Sequence, residues 1–288
     1  MPDSKKLIVT HQNPDVDAIC GIWQLQRFDK EIYQTAQISF VPAGNQVSDQ
    51  QLSDLNITSQ EVIHVDTGNI DFDHHDENHA GQSSSLLIYL YLIDKYDHLK
   101  DDQALKRMVE FANRTDQFDS YHWPEPTNDR YMFMIENILN GYKLGGHGDD
   151  HDLVRLGSEC LDGTYSMLKI TVEAEKEIGL GKEFKSKWGK SLALSSSNDS
   201  AIKLAQKMGY NIAVRKDPDE GNIRIKAAPL PQIDLTPVYK AIVDLDKKGT
   251  WYFHPGRHML LNGSKKHQGQ KPSPLSLDQV IEIIKSIK

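Results

Sequence analysis

At 288 residues the chain exceeds one usual domain, so two domains, or one large domain with an appendage, is the starting expectation. Its 38% hydrophobic and 26% charged residues are those of an ordinary globular protein with material for a substantial core, which excludes a disordered chain. A formal net charge of -8 at pH 7 repels polyanions, which disfavours long duplex nucleic acid as a partner and leaves small phosphorylated compounds open.

In chain order, the apolar run LIVT at 7–10 is β-branched and strand-like, and too short for the core of a signal peptide. No stretch approaches the length that crosses a bilayer, so a cytoplasmic address without membrane contact is expected, and a reducing compartment suits Cys20 and Cys160, neither of which sits in a disulfide or zinc pattern. After 7–10 come the polar loop HQNPDVD and a helix in AICGIWQLQRF, then strands at 38–42 and 61–66, the second running into the acidic loop TGNIDFDHHDENH. The serine-capped SSSLLIYLYLIDKY predicts a helix whose apolar run serves either the core or a homodimer face. Helices are predicted at 104–114 and 130–140, and helix from about 152 to 187 with GLG at 179–181 as an interruption. From 191 the pattern mixes short strands and helices: a helix at 201–209, strands at 210–216 and 223–229 joined by the turn DPDEGN, a helix near 236–248, the segment GTWYFHPGRHMLLNGS, and a final amphipathic helix in LDQVIEIIKSI. The expected fold class is therefore α/β, an N-terminal mostly parallel sheet flanked by helices over 1–189, followed by a smaller C-terminal α+β domain over 190–288.

Ligand-type side chains gather where the predicted strands end, which is where open parallel sheets bind their ligands. His11, Asp15 and Asp17 fall within seven residues, and Pro14 biases Asn13 away from helix so that the two aspartates can point in different directions. Helix capping by Asp15 or Asp17 is the plain alternative. The second group is denser: Asp66, Asp71, Asp73, His74, His75, Asp76 and His79. Carboxylates packed this closely repel one another and call for a cation, a solvated acidic loop being the plain alternative. Asp116, with Asp119 three residues on, follows a helical segment and gains weight only from the other two groups.

The strings HQNPDVDA, VDTG and DHH, in this order and at these intervals, resemble the DHH phosphoesterase superfamily of metal-dependent phosphohydrolases, whose name-giving triplet is here Asp73, His74 and His75. The motifs cover the first 120 or so residues. The resemblance implies a C-terminal domain facing the first across a cleft, His11 and Asp15 on one metal, Asp17 and His74 on a second, Asp66 bridging both, and Asp116, with Asp119 competing, as the last acidic ligand. Asp73 and His75 become the catalytic candidates, His75 facing the substrate phosphate or supporting the ligands and Asp73 orienting a neighbouring histidine or closing the site. Carboxylates and imidazoles without thiolates suit hard or borderline ions, and the family favours two Mn2+, with Mg2+ or Co2+ the alternatives.

The chain departs from the family's GGGH string. Gly145 to His147 read GGH, but the segment lies too early and is taken as a loop. His254, Arg257, His258, Asn262, Gly263 and Ser264, with Lys265 and Lys266, are the candidate substrate-binding residues, because arginine and backbone amides grip phosphate; a solvated hairpin with exposed lysines is the equal alternative. The activity read from this pattern is hydrolysis of a phosphodiester or phosphoanhydride bond in a small phosphorylated compound or short oligonucleotide. A single-strand exonuclease and a non-catalytic nucleotide sensor are the alternatives.

Overall fold

The computed structural model of the protein describes residues 6–263 and 269–288. The chain divides into two compact units, Met1–Leu168 and Lys169–Lys288. The division falls inside a long helix, earlier than the 189/190 boundary read from composition.

The first unit is built on three parallel strands, β1 (Leu7–His11), β2 (Gln37–Val41) and β3 (Val62–His64), in the order β2-β1-β3. Central β1 is an unbroken apolar run because both faces of a parallel sheet are covered. Alternation along the strand divides its side chains between two cores. Leu7 and Val9 pack with Val41, Leu52 and Ile57, the side covered by α3 (Asp49–Leu55). Ile8 packs on the other face among residues of α1 (Val16–Phe28), α4 (Ser84–Lys95) and α5 (Gln103–Asp116). A short helix, α2 (Lys30–Tyr33), follows α1. In α4 the residues Ile88, Tyr89 and Leu92 belong to the core, while Leu90 is exposed.

The predicted helix over 130–140 is in fact a 3-10 turn, Asp129–Phe133, followed by α6 (Ile135–Leu144). Asn128 caps the turn and accepts from the Arg130 amide at 3.0 Å, so the polar side chain ahead of the apolar run starts a tight turn and delays the helix. The long helix α7 runs over Asp150–Gly179 and stops there. Residues 182–186, read as helical, form β4 (Lys182–Ser186), paired antiparallel with β5 (Gly189–Ser195). Gly179 and Gly181 end the helix rather than interrupt it.

The second unit carries a six-stranded mixed sheet in the order β4-β5-β6-β7-β9-β8, with β6 (Ile212–Lys216), β7 (Ile223–Ala227), β8 (Trp251–Phe253) and β9 (Met259–Asn262). One face buries Ile212, Val214, Ile223, Ile225 and Leu260 with residues of α9 (Thr236–Leu245) and α10 (Leu277–Ser286). The opposite face is covered over β5 and β6 by α8 (Asp199–Lys207), through Ala201, Ile202 and Ala205. Asp217 accepts the amides of Asp219 and Glu220 at 3.0 Å and so shapes the DPDEGN turn between β6 and β7. Among the described residues no helix is long and apolar enough to cross a membrane.

Candidate metal centre

The site lies beyond the carboxyl ends of β1 and β3. His11 closes β1, and the loop after it turns at Asn13, whose φ is 56°. Asp15 caps α1 by accepting from the Ala18 amide at 3.0 Å, so the plain helix-cap role and a place in the cluster are held by one side chain. Asp17, in the first turn of α1, is buried. Asp66 follows β3 with φ 58°, a left-handed conformation that aspartate tolerates better than most residues. Asp116 is the last residue of α5.

These residues converge on Asp66. Its Oδ2 lies 3.2 Å from His11 Nε2, and its Oδ1 lies 3.1 Å from His74 Nε2 and accepts from the Ser84 hydroxyl at 3.1 Å. His74 Nε2 is also 3.8 Å from Asp116 Oδ2. Three overlapping groups result, His11 with Asp15 and Asp66, Asp17 with His74 and Asp116, and Asp66 with His74 and His75, each with its ligand atoms within 4.8 Å of one another.

The electrostatics of the cluster fit a cation. Asp15, Asp17 and Asp116 are all pushed above the ordinary carboxylate range, first by burial and then, for Asp15 and Asp17, by the Asp66 charge; Asp17 reaches about 7. Asp66 moves the other way despite its burial, because His11 and His74 hold it ionised. Burial alone would keep His11 neutral, but Asp66 and the Gln12 carbonyl raise it to about 9, and Asp66 raises His74 to about 9 against its burial. His11 Nδ1 is 2.8 Å from the Gln12 carbonyl, which makes it the protonated nitrogen and turns the Nε2 lone pair of the neutral ring toward Asp66. His74 Nε2 is buried and, despite its nearness to Asp66, makes no well-aligned hydrogen bond. A lone pair facing a carboxylate needs either a proton or a metal ion between them, and the donor set fits the second. The residues present suit a hard or borderline divalent ion.

Asp73 is buried and accepts from His75 Nδ1 at 2.6 Å and from the Asn69 amide at 2.7 Å. His75 itself is largely exposed, its ring tilted against that of His74 at 4.2 Å. The other acidic-loop residues are engaged elsewhere. Asp71 accepts from the His64 amide at 3.0 Å, and Asp76 caps the turn that contains His79, taking the His79 amide at 3.1 Å. Asp119 accepts from the Trp123 indole at 3.3 Å and stands outside the three groups. Gly145 closes α6, and the His147 ring packs 5.5 Å from Tyr142.

Sequence reading missed the brace behind the candidate ligands. The Ser84 amide donates to Asp17 Oδ2 at 2.8 Å and the Ser85 amide to Asp17 Oδ1 at 3.1 Å, so the N-terminus of α4 fixes a carboxylate of α1 while Ser84 Oγ fixes Asp66. The SSS string carried that signal but reads locally as a helix cap, which Ser83 is.

Of the C-terminal candidates, His254 Nδ1 accepts from the Gly256 amide at 3.0 Å, Arg257 has φ 60° and pairs with Asp234 at 3.0 Å, and His258 Nε2 lies 3.1 Å from the Leu230 carbonyl. Asn262 is fully buried, bonded to Thr250, Lys271 and Ser273, so its amide holds the end of β9 and is closed to a ligand. Gly263 has φ 76°, with Asn222 packed where a side chain would start. Ser264, Lys265 and Lys266 lie outside the described residues.

No family model and no curated protein matches the sequence. Among solved structures the chain is similar to RecJ of Thermus thermophilus, in a crystal structure of the complex with Mg2+, at 12% identity and a TM-score of 0.30, covering 91% of this chain and 47% of that one. This chain thus spans about half the length of that structure. A likeness so remote leaves the function to be read from the site itself.

Proposed function

We propose that the protein is a metal-dependent phosphohydrolase that cleaves a phosphodiester or phosphoanhydride bond in a small phosphorylated compound or short oligonucleotide. The observation that carries this reading is the convergence of Asp15, Asp17, Asp66 and Asp116 with His11 and His74 at the carboxyl ends of parallel strands, three of the carboxylates resisting ionisation where they stand. The HQNPDVDA, VDTG and DHH strings point the same way.

In this reading His11 and Asp15 hold one ion, Asp17, His74 and Asp116 the other, and Asp66 reaches both, with Mn2+ the expected metal and Mg2+ or Co2+ the alternatives. Divalent ions held there supply Lewis acidity toward phosphoryl oxygens and water. The chain supplies the rest. Ser84 and Ser85 keep Asp17 and Asp66 in place, and Asp73 orients His75, whose exposed ring can donate to a substrate phosphate. The exposed rings of Phe118, Tyr121 and Phe133, in the segment after Asp116, favour a second reading in which the substrate is single-stranded and its bases stack there.

Hydrolysis should be assayed in the presence of Mn2+ over bis(para-nitrophenyl) phosphate, pyrophosphate, short polyphosphate, a cyclic dinucleotide and a short oligonucleotide, with His74→Ala as control. Turnover that disappears in the control supports the reading and names the substrate class. Metal binding without turnover on any of them, under Mn2+, Mg2+ or Co2+, would replace it with a sensor.

A further inference from the structure

The segment GGHGDDHD, where α6 gives way to α7, reads in sequence as a plain loop, yet one of its side chains reaches the metal centre. Asp149 and Asp152 serve the start of α7 between them. The Asp152 amide donates to Asp149 Oδ1 at 3.1 Å, and the Asp149 amide donates to Asp152 Oδ2 at 3.2 Å. Gly148, with φ 76°, makes the turn that permits this, and a Cβ added there would run into the Asp152 carboxylate. Asp150 takes no part in that exchange. Its Oδ1 accepts from the Asn13 amide at 3.1 Å, 137 residues earlier in the chain. Beside it the His151 ring meets Phe40 of β2 edge-on, 4.8 Å between centroids, which seats the start of α7 near the carboxyl end of the parallel sheet.

The Asn13 amide and the Gln12 carbonyl are the two ends of one peptide group, and that carbonyl accepts from His11 Nδ1 at 2.8 Å. A planar trans peptide points its N–H and its C=O in opposite directions, so one rigid unit is gripped at both ends. A chain of contacts results: the Asp150 carboxylate, the 12–13 peptide, the His11 imidazole, and then His11 Nε2 facing Asp66 at 3.2 Å. Hydrogen bonds arranged head to tail polarise one another, and an anion on the amide end makes the carbonyl a stronger acceptor. A stronger acceptor at Nδ1 fixes the tautomer and makes Nε2 a better electron-pair donor, the effect that outer hydrogen bonds have on metal-binding histidines. The Gln12 amide is in turn held by the Val41 carbonyl at 2.7 Å, so the loop is tied to β2 at one residue and to α7 at the next.

We infer that Asp150 is a positioning residue of the metal centre, which sets the orientation, tautomer and donor strength of His11 through the 12–13 peptide. The assignment rests on the reading of His11 as a metal ligand. It gives the GGHGDDHD segment a part that its position in the sequence does not suggest.

The test is calorimetric titration of the full metal-free chain with Mn2+, followed into the millimolar range, on a double-mutant cycle of Asp150→Ala and His11→Ala. Asp150→Ala should weaken Mn2+ by about ten- to a hundredfold at the site that His11→Ala also weakens. Asp150→Asn, which keeps an acceptor oxygen, should recover most of that loss. In the His11→Ala background Asp150→Ala should change nothing further, whereas a role confined to holding α7 in place would cost the same in either background. A wild-type chain that binds no divalent ion overturns this assignment together with the metal-centre reading. Wild-type binding with undiminished affinity in a folded Asp150→Ala, or an equal loss in both backgrounds, overturns this assignment alone. Should Asp150→Ala fail to fold, hydrogen exchange of the Asn13 amide in the metal-free wild type decides: protection is expected, and exchange at the rate of an unbonded amide overturns the link.

Discussion

Asp66 sits in a left-handed conformation with one oxygen 3.2 Å from His11 and the other 3.1 Å from His74, so a single side chain faces both halves of the cluster. Asp66→Asn keeps its size and removes the charge both halves share; turnover on the best substrate is expected to fall by about a thousandfold or more. Asp116→Asn should also be severe, while Asp119→Asn, a residue bonded to Trp123, should stay within about threefold of wild type, a contrast that steady-state kinetics on the two variants would decide. A protonation effect follows at the same residues. His11 and His74 hold protons up to about pH 9 and Asp17 up to about 7, so at pH 7 to 8 a metal ion must displace them. Metal uptake by the metal-free chain should therefore release protons and tighten as pH rises. Calorimetry in two buffers of different ionisation enthalpy reads this directly, and buffer-independent heats would contradict it.

At the scale of elements, α1 is the piece on which both the core and the site depend. A Cβ on Gly21 would come 2.7 Å from Val65 and 2.8 Å from Ile88. Gly21→Ala gains about 1 kcal/mol in helix propensity but loses about 1 to 3 to overpacking, so a net destabilisation is expected. Gly163→Ala, on α7 with nothing within 4 Å of the added carbon, should instead stabilise by about 0.5 to 1 kcal/mol. Urea midpoints of the two variants should move in opposite directions. The far end of α1 is tied to α4 and the residue after it through Asp29, which is fully buried and accepts from Tyr91 at 2.7 Å, Lys95 at 2.8 Å and Tyr96 at 2.8 Å. Burial works against the carboxylate, and these three donors outweigh it, so Asp29 titrates below its ordinary value. With the folded value lowered, the stabilisation is fully present above about pH 4 to 5 and is lost as pH falls through the depressed range. Acid unfolding of Asp29→Asn should accordingly start from a lower stability at neutral pH and show a shallower decline below pH 4. An acid profile parallel to that of the wild type would remove Asp29 from this role.

Over the whole molecule, each unit has its own core, and among the described residues the candidate ligands all come from the first. A metal at about one hundred times its dissociation constant stabilises the state it binds by about 2.7 kcal/mol. Hydrogen exchange with and without Mn2+ should show that gain in the loops and strand ends of 6–168, with 169–288 little changed. Protection spread evenly over both units would place the ligands elsewhere. The net charge of -8 belongs to this scale too, since it opposes polyanions in general.

The α/β character, the order of the elements and the metal-centre candidates were legible in the chain itself. Most of the candidate ligands occupy a short string after a strand, Asp116 at the end of α5 being the exception, and hydrophobic period and local turn chemistry are carried by neighbouring residues. Where the long helix would stop was also written locally, in Gly179 and Gly181, yet 182–186 became a strand because β5 pairs with it, which no local pattern contains. The choice among so many acidic side chains depended on packing. Asp71 and Asp76 turn to backbone amides nearby, whereas Asp17 meets α4 across 67 and 68 residues of chain. Only the tertiary structure could set Arg215, Arg224, Leu261 and Tyr252 in one row, because β9 enters the sheet between β7 and β8, and strand order is decided by which apolar faces bury each other rather than by any residue's neighbours in sequence.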